Sequence, residues 1–362
     1  MKPNNPPEPK PLFLERMQKL LPDKKDFQNY LDILKIYPVK SIRCNELKIS
    51  PEELKKKLAE KKWKIKQPWK DYPEVMVIEN EVLPGEVGRA LEHQLGYYYM
   101  QELASMLPVI AINPKKDELI LDLCAAPGSK TTQLSSEMQG TGTIIANEVS
   151  MGRLKILASN LEKCGASNTI ISRKDGFAFC KRLAKFNPEM KFDRILVDAP
   201  CSGEGTLRSS WKTYKMWNIK TIENLPKIQR GLVESAFEIL KPNGTMIYAT
   251  CTHAPEENEE VVNYILEKFG DKIKLGKIKL PIKTREGITE WDDSTKLIDN
   301  NSKVISRAKR EGRAKRNLGG QENNERNSKT YKFSKEVKKC VRVYPQDNNT
   351  EGFFIAKFKK IK

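Results

Sequence analysis

The chain has 362 residues and a net charge of +18, from 65 Lys and Arg against 47 Asp and Glu, and 38% of it is hydrophobic. That is length and apolar content for two or three folded domains. No apolar run approaches the ~18 residues of a membrane span, and the start MKPNNPPEPK holds no signal region, so a soluble protein of the cytoplasm, or of the nucleus in a eukaryote, is expected.

An excess of basic side chains this large serves to neutralise phosphates and steer association with nucleic acid. Seven cysteines (Cys44, Cys124, Cys164, Cys180, Cys201, Cys251 and Cys340) form an odd set without a CxxC spacing. They argue against a disulfide framework and a zinc site, so free thiols and no metal are expected. Nothing in the pattern implies a protein partner.

Residues 1–10 are rich in Pro and Asn and read as a disordered tail. PLFLERMQKLL then places apolar residues at helical spacing. Another helix starts after Ser50, because Ser50 and Glu53 form a capping-box pattern, Pro51 takes the first helical position, and Leu54 and Leu58 supply an apolar face. Its other face and the segment beyond are basic: Lys55, Lys56, Lys57, Lys61, Lys62, Lys64, Lys66 and Lys70, with Trp63, Trp69 and Tyr72 between them. Two readings fit. The rings stack on RNA bases beside a phosphate-binding face, or they are core aromatics next to a solvated helix. Residues 11–95 are taken as a smaller N-terminal α/β domain that binds RNA.

From about residue 117 short apolar runs alternate with helical segments. ELILDLC (118–124), GTIIANE (142–148), NTIISRKD (168–175), FDRILVD (192–198) and GTMIYATC (244–251) read as strands. SKTTQLSSEM, SMGRLKILASNLEKCG, TIENLPKIQRGLVESAFEIL and EENEEVVNYILEKFG read as helices, with Gly165 and Gly270 at C-terminal ends. The rhythm is that of a doubly wound, Rossmann-like α/β sheet. Residues 284–338 break it. Thirteen Lys or Arg stand against four Glu between Lys303 and Lys339, which predicts a basic, largely disordered insertion. CVRVYP (340–345) and GFFIAKF (352–358) then read as strands joined by the turn-forming QDNNTE, closing the mostly parallel sheet with an antiparallel edge. The α/β domain therefore covers 96–283 and 339–362.

Ligands of such sheets bind at the carboxyl ends of the strands. The first strand runs into CAAPGSKTT, where Gly128 permits close backbone approach and the next helix offers its free N–H groups. Glu148 lies about 20 residues beyond Gly128, the spacing of a ribose-diol acceptor, and Asp175 ends the third strand within reach of a nucleobase. An adenosine-type cofactor is implied. A P-loop is not, since Cys124 and Ser129 stand where GxxxxGK[ST] needs Gly, and the GxGxxG of nicotinamide-binding folds is absent.

The fourth and fifth strands bring reactive groups. Asp198 opens DAPCSGEGTLR and Cys251 ends the fifth strand, so Cys201, Cys251 and one carboxylate can converge. A thiolate that adds to carbon 6 of cytosine makes carbon 5 enamine-like, and a carboxyl such as Asp198 on the ring nitrogen or amino group drains the accumulating charge.

LDLCAAPGSKTTQL, DAPCSGEGTLR and ATCTHAPEENEEVV resemble the signature blocks of the Sun-type RNA cytosine-C5 methyltransferases. The likeness runs from about residue 30 to the end and includes HQLGYYYMQELASMLP and GFFIAKF. It implies a Rossmann-like methyltransferase domain, S-adenosyl-L-methionine as cofactor and RNA as substrate, with tRNA favoured over ribosomal RNA. By the same resemblance Cys124, Ala125, Ala126, Pro127, Gly128, Ser129, Lys130, Glu148, Asp175 and Asp198 would contact the cofactor. Cys251 would be the nucleophile and Cys201 the thiol that assists release.

Some residues depart from that pattern. Thr252 and His253 follow the nucleophile where the family often has Ser, and Glu148 replaces a frequent Asp. DNA cytosine methyltransferases attack through Pro-Cys-Gln, whereas Ser202 follows Pro200 and Cys201. An amino-group methyltransferase would carry Asn-Pro-Pro-aromatic in place of Asp198 to Cys201, and a non-catalytic scaffold would have lost Asp198, Cys201 or Cys251. His253 is expected at the surface or behind the reacting groups, His93 in packing, and Gly319, Gly320 and Gln321 match a release-factor tripeptide by coincidence.

Overall fold

A computed structural model describes residues 8–292 and 330–361. It opens with amphipathic helices α1 (Pro11–Leu20) and α2 (Lys24–Leu34), the second begun by the Asp23 carboxylate accepting from the Asp26 amide at 2.8 Å. Phe13, Met17, Tyr30 and Leu34 on these helices, with Leu21 between them, pack against Leu207, Tyr214, Trp217 and Tyr344, far along the chain. The first helices thus belong to the core of the larger domain rather than to the N-terminal sheet. Lys10, at the end of the expected tail, donates to the Trp217 carbonyl at 2.5 Å.

A small antiparallel sheet follows, formed by β1 (Lys40–Cys44), β2 (Ile65–Lys66), β3 (Val75–Ile78) and β4 (Tyr98–Met100) in the order β2-β3-β1-β4. Helix α3 (Pro51–Glu60) starts at the Ser50–Glu53 capping box, with both of its hydrogen bonds present. Trp63 and Trp69 are only 3% and 5% exposed, and the Trp63 indole donates to Glu86 at 2.8 Å. The base-stacking reading of these rings is therefore corrected. Leu54 and Leu58 need apolar neighbours, and Trp63 supplies one in the same cluster. The boundary at residue 95 also moves, because β4 completes the sheet with Met100 opposite Ile42. Between them, one-turn helices α4 (Glu86–Arg89) and α5 (Leu91–Gln94) carry His93, whose ring packs on Tyr98 at 5.5 Å.

The large sheet begins after α6 (Leu103–Ile112). Strands β5 (Leu119–Asp122), β6 (Thr143–Asn147), β7 (Thr169–Ser172), β8 (Phe192–Asp198) and β9 (Leu240–Thr250) run parallel, where the apolar runs predict them. They are linked by α7 (Ser129–Glu137), α8 (Met151–Cys164), α9 (Gly176–Phe186), α10 (Trp211–Met216) and α11 (Ile219–Glu238), and α12 (Glu259–Phe269) follows. Then come β10 (Ile273–Leu275), β11 (Arg285–Glu286), β12 (Glu290–Asp292), β13 (Thr330–Lys332), β14 (Val341–Val343) and β15 (Phe353–Lys360). The order β11-β14-β15-β9-β8-β5-β6-β7, with β10 beside β15, has an antiparallel edge from β15 outward. Strand order reverses between β5 and β8, so their carboxyl ends open the crevice of a switch point.

The expected insertion 284–338 is shorter than its charge suggests. β12 pairs with β13, Val337 is fully buried, and Trp291 is 4% exposed. The Trp291 indole donates to Glu256 at 2.9 Å, and the Arg16 guanidinium lies 5.1 Å from its ring. A few apolar anchors inside a charged stretch suffice to fix both flanks. The QDNNTE turn contains a short helix, Pro345–Asn348. The basic run 303–329, the Gly319–Gln321 tripeptide and residues 1–7 lie outside the described residues. Among those described, no helix is long and apolar enough to cross a membrane.

Candidate active site

At the end of β5 the chain turns through Gly128, whose φ of 104° is a left-handed value that a side chain would strain, and enters α7. No side chain caps α7, which leaves its first N–H groups to a ligand. The loop is held from behind. The Ala125 amide donates to the Asn147 carbonyl at 2.9 Å, Asn160 donates to the Pro127 carbonyl at 2.8 Å, and the Arg153 guanidinium donates to the Ala126 carbonyl. Cys124, Ala125, Ala126, Pro127, Gly128, Ser129 and Lys130 therefore share one rim of the crevice. Burial pushes the Cys124 thiol up, out of the nucleophilic range.

Glu148 follows β6 and is 2% exposed, accepting from the Ser150 amide at 2.8 Å and facing Arg153 at 3.2 Å. Asn147 donates to the Lys174 carbonyl at 3.0 Å, which ties the end of β6 to the turn after β7 and brings Asp175 alongside. Asp175 is exposed and caps α9, accepting from the Ala178 amide at 2.9 Å. Asp198 ends β8. Its Oδ2 accepts from the Lys130 ammonium at 2.7 Å; the same ammonium donates to Ser105 Oγ at 3.0 Å and lies 5.3 Å from the Phe353 ring centre.

The two thiols meet across the ends of β8 and β9. Cys201 Sγ and Cys251 Sγ are 3.1 Å apart, and the hydrogen bond between them, reinforced by burial, pushes the Cys201 thiol well above its ordinary range. The surrounding turns are tightly bonded. The Gly205 amide donates to the Cys251 carbonyl at 2.9 Å, Ser202 Oγ and Thr252 Oγ1 are 2.7 Å apart, and Glu257 accepts from the Ser202 amide at 3.0 Å. Asn258 accepts from the Thr250 hydroxyl at 2.6 Å and donates to the Thr252 carbonyl at 3.0 Å, clamping both sides of Cys251.

The chain that carries this constellation matches a known family. The family model described as "16S rRNA methyltransferase RsmB/F" fits residues 109–295, and "N-terminal domain of 16S rRNA methyltransferase RsmF" fits residues 10–103. The chain belongs to the Sun-type RsmB/F family of RNA cytosine-C5 methyltransferases. One relative, from Pyrococcus abyssi and named tRNA (cytosine(49)-C(5))-methyltransferase, is 37% identical over 349 residues, 96% of this chain and 95% of that protein. Ribosomal RNA small subunit methyltransferase F of Vibrio cholerae El Tor is 40% identical over 273 residues, 74% of this methyltransferase but 55% of that protein. The chain thus spans about half the length of that bacterial relative. A solved methyltransferase homolog from Pyrococcus horikoshii superposes with a TM-score of 0.73 at 28% identity, covering 96% of this chain and 94% of that one. The structure titled NSun6 from Pyrococcus horikoshii with SFG shares the fold, at a TM-score of 0.69 and 22% identity over 96% and 98% of the two chains.

Three features of the methyltransferase's site escape a reading of its sequence. Asp122, 1% exposed at the end of β5, accepts from the Thr131 hydroxyl at 2.7 Å through Oδ2 while Oδ1 has no hydrogen-bond partner. Burial pushes its carboxyl up to about 7. The signal was an acidic residue closing an apolar run. Arg43 of β1, 1% exposed, donates to the Ser129 carbonyl at 2.8 Å and to Thr132 Oγ1 at 2.9 Å, which couples the N-terminal sheet to α7. No local pattern marks that contact. His253 is interior rather than at the surface. It stacks on Tyr344 at 4.9 Å, and burial with the nearby Arg342 and Arg285 pushes it down to about 3, so it stays neutral and cannot serve as a base near neutral pH.

Proposed function

We propose that this methyltransferase methylates carbon 5 of a cytosine in tRNA, using S-adenosylmethionine, through a covalent adduct on Cys251. The observation that carries the reading is the pair of thiols 3.1 Å apart, beside a carboxylate held by a lysine at 2.7 Å. The residues suit the cofactor. The uncapped start of α7 fits the methionine carboxylate, Glu148 the ribose diol, and Asp175 with the exposed Val149 and Phe177 the adenine. When bound, the cofactor supplies an electrophilic methyl group.

The chain's own groups do the rest. The Cys251 thiol gives its proton to Asp198 as its sulfur forms a bond to carbon 6 of cytosine, and the carbon 5–carbon 6 π electrons shift through carbon 5 toward the ring nitrogen. Asp198, oriented by Lys130, passes the proton it has taken from Cys251 to the ring nitrogen, which neutralises the developing charge. Once carbon 5 carries the methyl group, Cys201, having released its own thiol proton to solvent, removes the carbon 5 proton as the thiolate. The carbon 6–sulfur bond then breaks and returns its electron pair to Cys251.

tRNA is favoured because the tRNA-named relative is matched along nearly all of its length, whereas the ribosomal RNA relative is much longer than this chain. The test is transfer of labelled methyl groups to purified tRNA and to 16S RNA, with the product mapped by bisulfite sequencing. 5-Methylcytosine in tRNA is the expected result. Label only in 16S RNA would replace the substrate, and no label in either RNA would overturn the reading.

A further inference from the structure

Beside the catalytic loop lies a cavity of about 340 Å³ lined by Tyr37, Ser209, Ser210, Trp211 and Lys212. Tyr37 and Trp211 stack at 5.8 Å with 28° between their planes, yet Tyr37 remains 46% exposed. Trp211 packs on the cluster of Leu207, Tyr214 and Trp217, so the pair is a braced ledge of aromatic surface at the mouth of the cavity. We propose that this cavity receives an unpaired nucleobase of the RNA flanking the target cytosine, stacked on the Tyr37–Trp211 pair. The inference rests on the RNA methyltransferase reading above and adds a second base-binding site to it.

The chemistry suits a base rather than an acyl chain. Aromatic faces stack on any nucleobase, the Ser210 hydroxyl can meet its polar edge, and the exposed Lys212 can pair with the adjoining phosphate.

The cavity is also fixed relative to the nucleophile. Arg208, 1% exposed, donates to the carbonyls of Ile36 at 3.0 Å, Tyr37 at 3.2 Å and Thr350 at 2.7 Å, and to Asn349 Oδ1 at 2.6 Å. Three residues before it, the Gly205 amide holds the Cys251 carbonyl at 2.9 Å. A buried arginine that joins the Tyr37 segment, the catalytic loop and the turn before β15 sets a constant spacing between the aromatic ledge and Cys251. A base docked on the ledge would fix the register of the strand and present its neighbour to the thiols.

The probe is a set of single-stranded RNA nonamers, each with one cytosine among uridines and with 2-aminopurine at a different position beside that cytosine. Binding to the wild-type protein should quench 2-aminopurine at one flanking position and not at the others. Tyr37→Ala and Trp211→Ala should each weaken nonamer binding roughly ten-fold and abolish the quench, with Trp211→Phe restoring it. Lys212→Ala should weaken binding and keep the quench. Cofactor affinity measured in parallel shows that each variant is folded. Undiminished quenching in the double alanine variant, or no quenching at any position in the wild type, overturns the ledge. The parent reading fails separately, by absence of methyl transfer from the wild-type enzyme to any RNA.

Discussion

Cys201 and Cys251, 50 residues apart in the chain, place their sulfurs 3.1 Å from each other at the ends of neighbouring strands. The hydrogen bond between them, with burial, pushes the Cys201 thiol well above its ordinary range. In the proposed reaction Cys251 attacks and Cys201 acts after attack.

The proposed division of roles predicts opposite phenotypes. Cys251→Ala should give no covalent complex and no 5-methylcytosine while cofactor and RNA still bind. Cys201→Ala leaves attack possible but hinders elimination, so a protein–RNA adduct should accumulate on denaturing gels and vanish when Cys251 is replaced as well. An adduct lost with Cys201 and kept without Cys251 would move the nucleophile to the other strand.

The Lys130–Asp198 pair, 2.7 Å long with side chains 8% and 28% exposed, should govern attack rather than release. Asp198→Asn keeps the shape and removes the charge, and should slow both adduct and product formation by about 10²–10³-fold. Lys130→Met should slow them less, because Asp198 is retained but unsteered. Rapid-quench measurement of adduct in a Cys201→Ala background separates the steps. Normal adduct formation by Asp198→Asn would remove the carboxylate from the attack.

Much of this site was legible in the sequence because its chemistry sits at strand ends. An apolar run followed by Cys, Asp or Glu marks both the strand and the group it presents, which places Glu148, Asp198 and Cys251 with one rule. Asp175 lies beyond its strand, which ends at Ser172, and caps α9 instead. Helix α6 gave no amphipathic signal because nearly all of its residues are buried. Arg43, Arg208 and Trp291 act through contacts far apart in the chain, and nothing local distinguishes them from surface residues.

Cofactor binding should depend on Glu148 and Asp175. Glu148→Gln and Asp175→Asn should each weaken S-adenosylmethionine binding by about ten- to a hundredfold, the worth of a hydrogen bond to a charged group. Asn is the better test at 175 because Ala would also remove the cap of α9, at about 1 kcal/mol. Titration calorimetry gives the affinities. Unchanged binding in both variants would exclude these carboxylates from the cofactor.

Stability should fall as pH rises through 7. Burial pushes Asp122, Glu257 and Glu351 up to about 7 from ordinary values near 4, so between those limits the folded chain binds more protons than the unfolded one. Each group then destabilises the fold by roughly 1 kcal/mol more at pH 8 than at pH 6.5. His253, held neutral down to about 3, acts the other way, but only below its unfolded value of about 6.5. Chemical denaturation at the two pH values should show greater stability at pH 6.5, and Glu257→Gln should shrink the difference. A flat profile would mean these carboxyls titrate normally.

The flanks of the basic segment should matter to the fold, while the run between them should matter to RNA. Trp291 is buried against Arg16 and Glu256, whose own ion pair is 2.7 Å long. Trp291→Ala removes the ring and one donor to Glu256, a loss of about 3–5 kcal/mol, and should lower the melting temperature by roughly 5–15 °C. Deleting 303–329 leaves that anchor in place and removes nine Lys or Arg against three Glu. The deletion should hold the melting temperature within about 2 °C of wild type, below the shift expected for loss of the anchor. It should also weaken tRNA binding and flatten the dependence of affinity on log salt concentration, because fewer phosphates are neutralised. An unchanged salt slope would show that these charges do not meet RNA, and an unchanged melting temperature for Trp291→Ala would show that the anchor carries no load.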